Sequence, residues 1–554
     1  MKNSKSLKWI YKNSKKYIPA VIALALLSGL VSVGSIVLAY ISSYVIDIAT
    51  GEMGGNIWLY IGALFALVLF QGIMFFINSS LRIRALGKLD MHFKENMFTS
   101  LIKKEFSYIS KIHSGDILNR FTSDVDVVVS GIVSIIPSAV SLIARLGAAL
   151  VVVTMFSYKL TILIVIAGII IGIAARIYSR YMKKIHKEVQ ESAGKSRSYM
   201  QECTENIIVV KVFNTASSFA KKLREFLMKT FKLCVLRNTL SNISAVSMYF
   251  IFTGGYYLIL AWGAFMISDD ILTYGTLTAL LSIVSQVRGP ITNMSGIIPQ
   301  YYSALASAER IMELENLPQE EEQISSEDAK EIYNNMKELR LSDVCFSYDA
   351  TKEILKNANM KVKKGEMVTL IGGSGEGKST IFRILLGLYK AESGKAYISG
   401  DKDYDITSAV RSLFAYVPQG NLILSGTIEE NIKFCKASAS QEELIEAAKM
   451  ADLYDFIMSL PQKFQTVVGE RGAGLSEGQI QRVAIARAIL SGAPILLLDE
   501  CTSALDEKTE KRVLENIKQR KDLTSIIISH RPAALNISDK IYDLQNGVLN
   551  LKEQ

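Results

Sequence analysis

Cysteine is scarce in this 554-residue chain: five residues, Cys203, Cys234, Cys345, Cys435 and Cys501, with no CxxC pair among them. All five fall in segments expected in the cytoplasm, where free thiols are the default reading and neither a structural disulfide nor a zinc site is expected. Histidine is scarcer still, with four residues. Long apolar runs stop near residue 300, and none follows. No cleavable signal peptide is expected, because the first apolar run is too long and lacks a small-residue cleavage site. A basic surface for nucleic acid is also missing. The net charge of +9 is unevenly spread, with 32 Lys and Arg against 18 Asp and Glu in residues 1–315 and a net acidic remainder. The basic excess therefore belongs to membrane orientation, and no nucleic-acid partner is expected.

What the chain does have is apolar bulk: 49% apolar residues and a mean hydropathy of +0.25. A helix needs about 20 apolar residues to cross a bilayer. Six segments qualify, near 18–46, 57–78, 129–156, 160–180, 241–267 and 272–298. The sixth is the most polar, with Ser282, Ser285, Gln286, Arg288 and Asn293, so it is expected to face a cavity or a partner. Lys2, Lys5, Lys8, Lys12, Lys15 and Lys16 place the N-terminus in the cytoplasm, whereas the loop 47–56 has no Lys or Arg and belongs outside. The expectation is a multi-pass protein of the cytoplasmic membrane.

The long segments 79–128 and 181–240 read as helical continuations that project roughly 35–40 Å into the cytoplasm. The first is expected to turn at His113–Asp124. The second turns near Glu202–Phe213, where the apolar run 207–210 would be exposed without a partner. Residues 316–336 are acidic and read as a mobile linker. A soluble α/β domain is expected from 337 to 554.

That domain carries the chemistry. Residues 372–379 read Gly372, Gly373, Ser374, Gly375, Glu376, Gly377, Lys378 and Ser379, the pattern G-x-x-x-x-G-K-S. A short apolar strand precedes it and a helical stretch from Thr380 follows. The glycines let consecutive N–H groups curl around phosphate oxygens, and the helix N-terminus adds free donors. Lys378 reaches the β and γ phosphates and Ser379 ligates Mg²⁺. ATP or GTP with Mg²⁺ is the expected ligand. A second apolar run, 495–498, ends in Asp499 and Glu500, at the strand end where open α/β sheets bind ligands. Asp499 is the candidate to hold Mg²⁺ and Glu500 to orient or activate water. A third run ends at His530, a candidate γ-phosphate contact.

Leu475-Ser476-Glu477-Gly478-Gln479 resembles the signature motif of ATP-binding cassette (ABC) proteins, and it lies between the phosphate loop and the Asp499–Glu500 pair as in that family. Gln419 after Pro418 resembles the Q-loop, residues 503–506 the D-loop, and Tyr348 the aromatic that stacks on adenine. Residues 466–472 resemble the segment before the signature in exporters. In the first 315 residues, Ser114-Gly115-Asp116 with Asn119-Arg120, and residues 307–311, resemble the exporter-type membrane domain.

The resemblance implies a membrane domain of six transmembrane helices with long cytoplasmic extensions (1–315), the acidic linker (316–336), and an α/β P-loop nucleotide-binding domain (337–554). It implies ATP held by Tyr348, Gly372, Gly373, Ser374, Gly375, Gly377, Lys378, Ser379 and Thr380, and closed over by Ser476, Gly478 and Gln479 of a second chain, identical or not. Mg²⁺ would be held by Ser379, Gln419 and Asp499, and hydrolysis carried by Glu500, Gln419 and His530. One departure stands out: the signature's third residue is Glu477, where the family usually has Gly.

The implied function is ATP-driven export or flipping of a peptide, lipid or hydrophobic compound by alternating access. An importer of the same fold and a nucleotide-gated regulator or channel remain alternatives. Arg145 in the third span and Arg288 in the sixth are candidate substrate contacts, with pairing to a neighbouring helix as the plainer reading.

Overall fold

The computed structural model describes residues 2–348, 352–420, 423–469, 472 and 474–552, without the side chains of 2, 3, 175, 291–296, 298 and 326. The chain forms two compact units, Met1–Thr99 with Ser114–Glu315, and Ser100–His113 with Asn316–Gln554. In chain order the helices up to residue 315 are α1 Lys2–Ser14, α2 Ile18–Ala49, α3 Ile57–Ile102, α4 Phe106–Ile109, α5 Ser114–Asn119, α6 Val125–Phe156, α7 Tyr158–Glu205, α8 Ile207–Val212, α9 Ala216–Ser268 and α10 Tyr274–Glu315.

Among the described residues five helices are long and apolar enough to cross a membrane: Ser4–Ala49, Ile57–Ile102, Ser114–Phe156, Tyr158–Glu205 and Ala216–Ser268. The sixth expected span lies within α10, which also carries Pro290 and Pro299. Part of that span, Asn293 included, falls on side chains outside the described set. The helices outrun their apolar runs. At 1.5 Å per residue the 53 residues of α9 reach roughly 80 Å, against about 30 Å of hydrocarbon. The surplus is a helical extension beyond the apolar run.

The first unit is held by an apolar cluster that includes Ile36 and Ala39 of α2, Val152 and Val153 of α6, and Leu280 and Ile283 of α10. Polar ties complete it. Asp47 accepts from Thr273 Oγ1 at 3.0 Å and from the Gly275 N–H at 2.7 Å, so a carboxylate of α2 caps the positive end of α10. Asp124, 2% exposed, accepts from Ser307 Oγ at 2.7 Å and Arg310 Nη2 at 2.5 Å. Arg145 donates to the Gln286 carbonyl at 3.3 Å, and the Arg288 guanidinium lies 5.1 Å from the centre of the Tyr249 ring. Both intramembrane arginines thus engage neighbouring helices.

In the second unit a six-stranded sheet runs in the order Val548–Lys552, Lys540–Gln545, Met367–Gly372, Thr524–Ile528, Ile495–Asp499, Phe414–Val417. All neighbours are parallel except the first pair. The strands Ile495–Asp499 and Thr524–Ile528 are buried at every position, as continuous apolar runs require. A four-stranded antiparallel sheet stands beside it, ordered Glu353–Lys363, Glu338–Ser347, Ser393–Ser399, Tyr404–Asp405.

Two expectations change. Residues 316–336, read as a mobile linker, are folded into the second unit. Glu320 takes both terminal nitrogens of Arg411 at 2.8 and 2.9 Å, and Glu321 accepts from Thr407 at 2.6 Å. The helix Ser326–Asn335 buries Ala329, Ile332 and Tyr333, followed by Met336, in the unit's core.

The first tip also lies upstream of His113–Asp124. Ser114 opens α5, while residues 103–113 turn and are part of the second unit. Lys104 bridges Gln319, Glu105 pairs with Lys390 at 3.1 Å, and the Ser110 hydroxyl meets that of Tyr389 at 2.9 Å. The second tip is the six-residue α8, with Ile208 74% exposed.

Candidate nucleotide site

The buried strand Met367–Gly372 ends in the phosphate loop, and the helix Lys378–Leu385 begins at its far side. Gly377 is the residue before that helix, with φ at +111°, and a Cβ there would sit 2.7 Å from Ile354. Only glycine fits both the backbone and the space. Lys378 is 6% exposed, and its ammonium donates to the carbonyls of Gly372 at 2.6 Å and Gly373 at 2.8 Å. Glu376 folds back to accept the Gly373 N–H at 2.7 Å. The loop is therefore a closed ring of its own donors and acceptors.

Asp499 and Glu500 end the strand two places across the same sheet, on the same carboxyl edge. Ser379 Oγ donates to Asp499 Oδ1 at 3.3 Å, and Tyr416 OH to Asp499 Oδ2 at 3.2 Å. Burial pushes the Asp499 carboxyl above the usual carboxylate range, against the lowering effect of those two bonds. Burial, together with the Asp499 carboxylate, likewise pushes the Tyr416 phenol up. A carboxylate held dry beside a hydroxyl calls for a cation. Asp499, the Ser379 hydroxyl and the Gln419 amide supply hard oxygen donors, the set that suits Mg²⁺. No cluster of three or more His, Cys, Asp or Glu able to hold a metal occurs among the described residues.

Glu500 adopts φ of +47°, a left-handed backbone that costs a non-glycine residue about 1–3 kcal/mol. Its N–H is tied to the Ile528 carbonyl at 3.1 Å, and its side chain accepts from Gln419 Nε2 at 2.6 Å. The Q-loop residue and the water-activating candidate therefore touch directly. Tyr348 places its hydroxyl 3.0 Å from Thr380 Oγ1 and accepts from Arg383 at 2.8 Å, with its ring edge-on to Phe346 and Tyr389.

The signature residues lie elsewhere. Ser476 is the residue before the helix Glu477–Leu490. Its hydroxyl accepts the Gln479 N–H at 3.3 Å while the Gln479 side chain accepts the Ser476 N–H at 2.8 Å. Gln479 thus closes the helix cap, and Glu477 occupies the first turn, where the helix dipole favours a carboxylate. Gly478 is packed against the D-loop, where a Cβ would meet the Ala504 carbonyl at 2.9 Å. Among the described residues no hydrogen bond or ion pair joins Ser476, Gly478, Gln479 or His530 to the phosphate loop, and His530 is exposed just beyond its strand. Residues Glu470 and Arg471, part of the segment expected before the signature, lie outside the described set.

Sequence reasoning passed over the residues that brace these loops. Gln481 donates to Ser503 at 3.2 Å and accepts the Ala504 N–H at 3.1 Å. Arg531, next to His530, donates to the Leu505 carbonyl at 2.6 Å, to the Ser503 carbonyl at 2.8 Å, and to Glu510 at 2.9 Å. No local pattern marks them, because each acts across 21 or more residues of chain.

Comparison with known proteins agrees with this geometry. Residues 20–291 match the family model for the ABC transporter transmembrane region, and residues 355–503 the model for ABC transporters. The chain is 28% identical over 552 residues to ABC transporter B family member 1 of Dictyostelium discoideum, covering 98% of this chain and 60% of that one. It therefore spans less than two thirds of that relative's length. It is 29% identical over 514 residues to a Staphylococcus aureus ATP-binding/permease protein whose name proposes multidrug export, covering 90% and 87% of the two chains.

A bacterial Atm1-family ABC exporter, solved with ATP bound, superposes with a TM-score of 0.80 at 24% identity, over 97% of this chain and 94% of that one. At that identity the likeness speaks for the fold. With two family models in order along one chain and a likeness that runs nearly end to end, the chain belongs to the ABC transporters of exporter type, as a half-transporter that joins one membrane domain to one ATPase domain.

Proposed function

We propose that the chain hydrolyses ATP to drive export or flipping of an amphipathic or hydrophobic compound across a membrane, working as a pair of chains. The observation that carries this reading is the cluster at one sheet edge: Lys378 and Ser379 beside Asp499, and Gln419 on Glu500. The division of labour follows the expected boundaries, with 1–315 for the membrane path and 337–554 for nucleotide.

Lys378 and the loop N–H groups bind and orient the phosphates. To do so Lys378 exchanges its present carbonyl partners for phosphate oxygens. Mg²⁺, held by Ser379, Asp499 and Gln419, supplies charge neutralisation when bound. Glu500 accepts a proton from the attacking water or orients it, and Gln419 fixes the carboxylate that does so. Tyr348 offers its ring to the adenine, and His530 its imidazole to the γ-phosphate.

Among the described residues the signature residues Ser476 and Gly478 make no hydrogen bond to their own phosphate loop, which supports completion of the site by a second chain. The exposed apolar α8 supports the same reading, because such a surface needs a partner. Closure around ATP then shifts the membrane domain between its two states by the difference in ATP affinity for each. The test is ATP turnover of the purified chain in lipid nanodiscs, with particle mass and ATP-dependent uptake into inside-out vesicles measured in parallel. Steady turnover by a two-chain particle with uptake is expected. Turnover without any directional movement of tested amphiphiles would remove export, and absent turnover would remove the self-sufficient pair.

A further inference from the structure

Arg383 stands on the helix Lys378–Leu385, one turn beyond Ser379. Buried Phe382 and Ile384 flank it, and it is the exposed residue of that helix. Its guanidinium is nevertheless engaged. It donates to the Tyr348 hydroxyl at 2.8 Å, and its central carbon lies 5.8 Å from the centre of the Tyr348 ring. The same hydroxyl meets Thr380 Oγ1 at 3.0 Å, on the first turn of that helix. A phenol that accepts from Arg383 keeps its own proton to donate to Thr380, so both bonds hold together.

Tyr348 needs such ties. It lies just past the strand Glu338–Ser347, where the ladder no longer fixes it. Phe346 and Tyr389 stand against its ring at 4.9 and 5.2 Å, each perpendicular to it at 89°. Among the described residues no ring lies flat on it. A half-buried ring, braced at its edges and tied at its hydroxyl, still has a flat stacking partner to gain. Fixing its plane in advance matters, because ordering one such side chain on binding costs roughly two- to tenfold in affinity.

We propose that Arg383 is a positioning residue for the nucleotide base: it holds the Tyr348 ring in the plane on which adenine stacks, and so strengthens ATP binding from the base end. The inference rests on the nucleotide reading above and adds to it the residue that sets how firmly the base is held. The guanidinium charge also opposes the upward push of burial on Asp499 and Tyr416. An effect through the base must therefore be separated from one on the phosphate end. A ligand that has the phosphates and no base makes that separation.

The experiment is equilibrium binding of radiolabelled ATP, without Mg²⁺, to the full chain in lipid nanodiscs, with inorganic tripolyphosphate as competitor. Arg383→Met should weaken ATP by about fivefold and leave the inhibition constant of tripolyphosphate unchanged. Tyr348→Phe, which removes the hydroxyl and keeps the ring, should do the same. The two substitutions combined should weaken ATP little more than either alone, because both break one bond. Arg383→Lys keeps the charge, loses the planar fork, and should fall between. It carries the same test should Arg383→Met melt early. In steady-state hydrolysis with Mg²⁺, KM for ATP should rise about fivefold in Arg383→Met with kcat within about twofold.

Unchanged ATP affinity in Arg383→Met overturns the inference. So does an equal loss of tripolyphosphate in a variant that melts as the unmodified chain does, since that assigns the guanidinium to the phosphate end. Effects that multiply in the combined variant overturn it too, because the two side chains would then act apart. ATP binding that ignores Arg383 defeats the inference alone and leaves the nucleotide reading standing. No saturable ATP binding by the unmodified chain defeats that reading, and the inference with it.

Discussion

Glu500 combines a strained backbone with a bond to Gln419, and both features serve one purpose: they hold a carboxylate at the sheet edge with its tip fixed. Replacing it by Gln keeps the shape and removes the base. ATP turnover of Glu500→Gln should fall by about 10²–10³-fold while ATP binding persists, read by steady-state hydrolysis and by nucleotide retention. Turnover within a few-fold of the unmodified chain would remove Glu500 from its role.

Asp499 invites a different measurement. Its carboxyl is raised by burial, so the folded protein holds that proton more tightly than the unfolded chain does. Stability therefore falls with rising pH between the ordinary aspartate value, about 4, and the raised one. Without nucleotide or Mg²⁺, Asp499→Asn should melt at a higher temperature than the unmodified chain near neutral pH, and the difference should shrink toward pH 4. The same variant should lose Mg²⁺-dependent turnover. A lower melting temperature at neutral pH would show that the carboxylate is better satisfied than its surroundings imply.

At the scale of elements, the tip around α4 reaches the nucleotide site through one side chain. Tyr389 bonds Ser110, faces the Phe106 ring at 6.0 Å, and packs edge-on against Tyr348 at 5.2 Å. Tyr348 in turn bonds Thr380 on the helix that follows the phosphate loop. Tyr389→Ala should leave ATP turnover within about threefold and cut ATP-driven transport by about tenfold, whereas Tyr389→Phe, which keeps the ring contacts and loses one hydrogen bond, should fall between. Loss of ATP binding in Tyr389→Ala would mark the residue as a scaffold of the site and not a link to the tip.

The tie from α4 through Tyr389 to Tyr348 was not visible in the sequence, and the reason is physical. The phosphate loop, the Asp499–Glu500 pair and the long apolar helices are local patterns, set by consecutive residues or by a helical or strand period. Gln481, Arg531 and Tyr389 act through contacts that only the fold creates. The folded segment 316–336 was misread by its average acidity. Glu320 is paired with Arg411 and Glu321 is held by Thr407, and the apolar spacing of Ala329, Ile332, Tyr333 and Met336 is a helical stripe that an average conceals. The first tip was misplaced because Ser114-Gly115-Asp116 has turn composition yet begins a helix.

At the scale of the whole molecule, each chain presents one phosphate loop and one signature, and among the described residues no hydrogen bond or ion pair joins the two. If the site is shared between chains, damage can be arranged so that one copy survives. Lys378→Ala removes the phosphate ammonium, and Ser476→Arg blocks the signature with a bulky cation. Either variant alone should hydrolyse ATP at a few per cent of the unmodified rate or less. In a mixed pair, one site receives both lesions and the other receives none. Co-expressed with separate tags and purified through both, the mixed pair should therefore recover turnover well above either parent, toward half of normal if the sites work independently. Recovery far below half, with one intact site present, would mean that the two sites must fire together. No recovery in a verified mixed pair would mean that the signature does not serve its partner's nucleotide, and the shared site would fall. The measurement also decides whether two copies of this chain suffice: a preparation that never yields both tags on one particle would point to a different second chain.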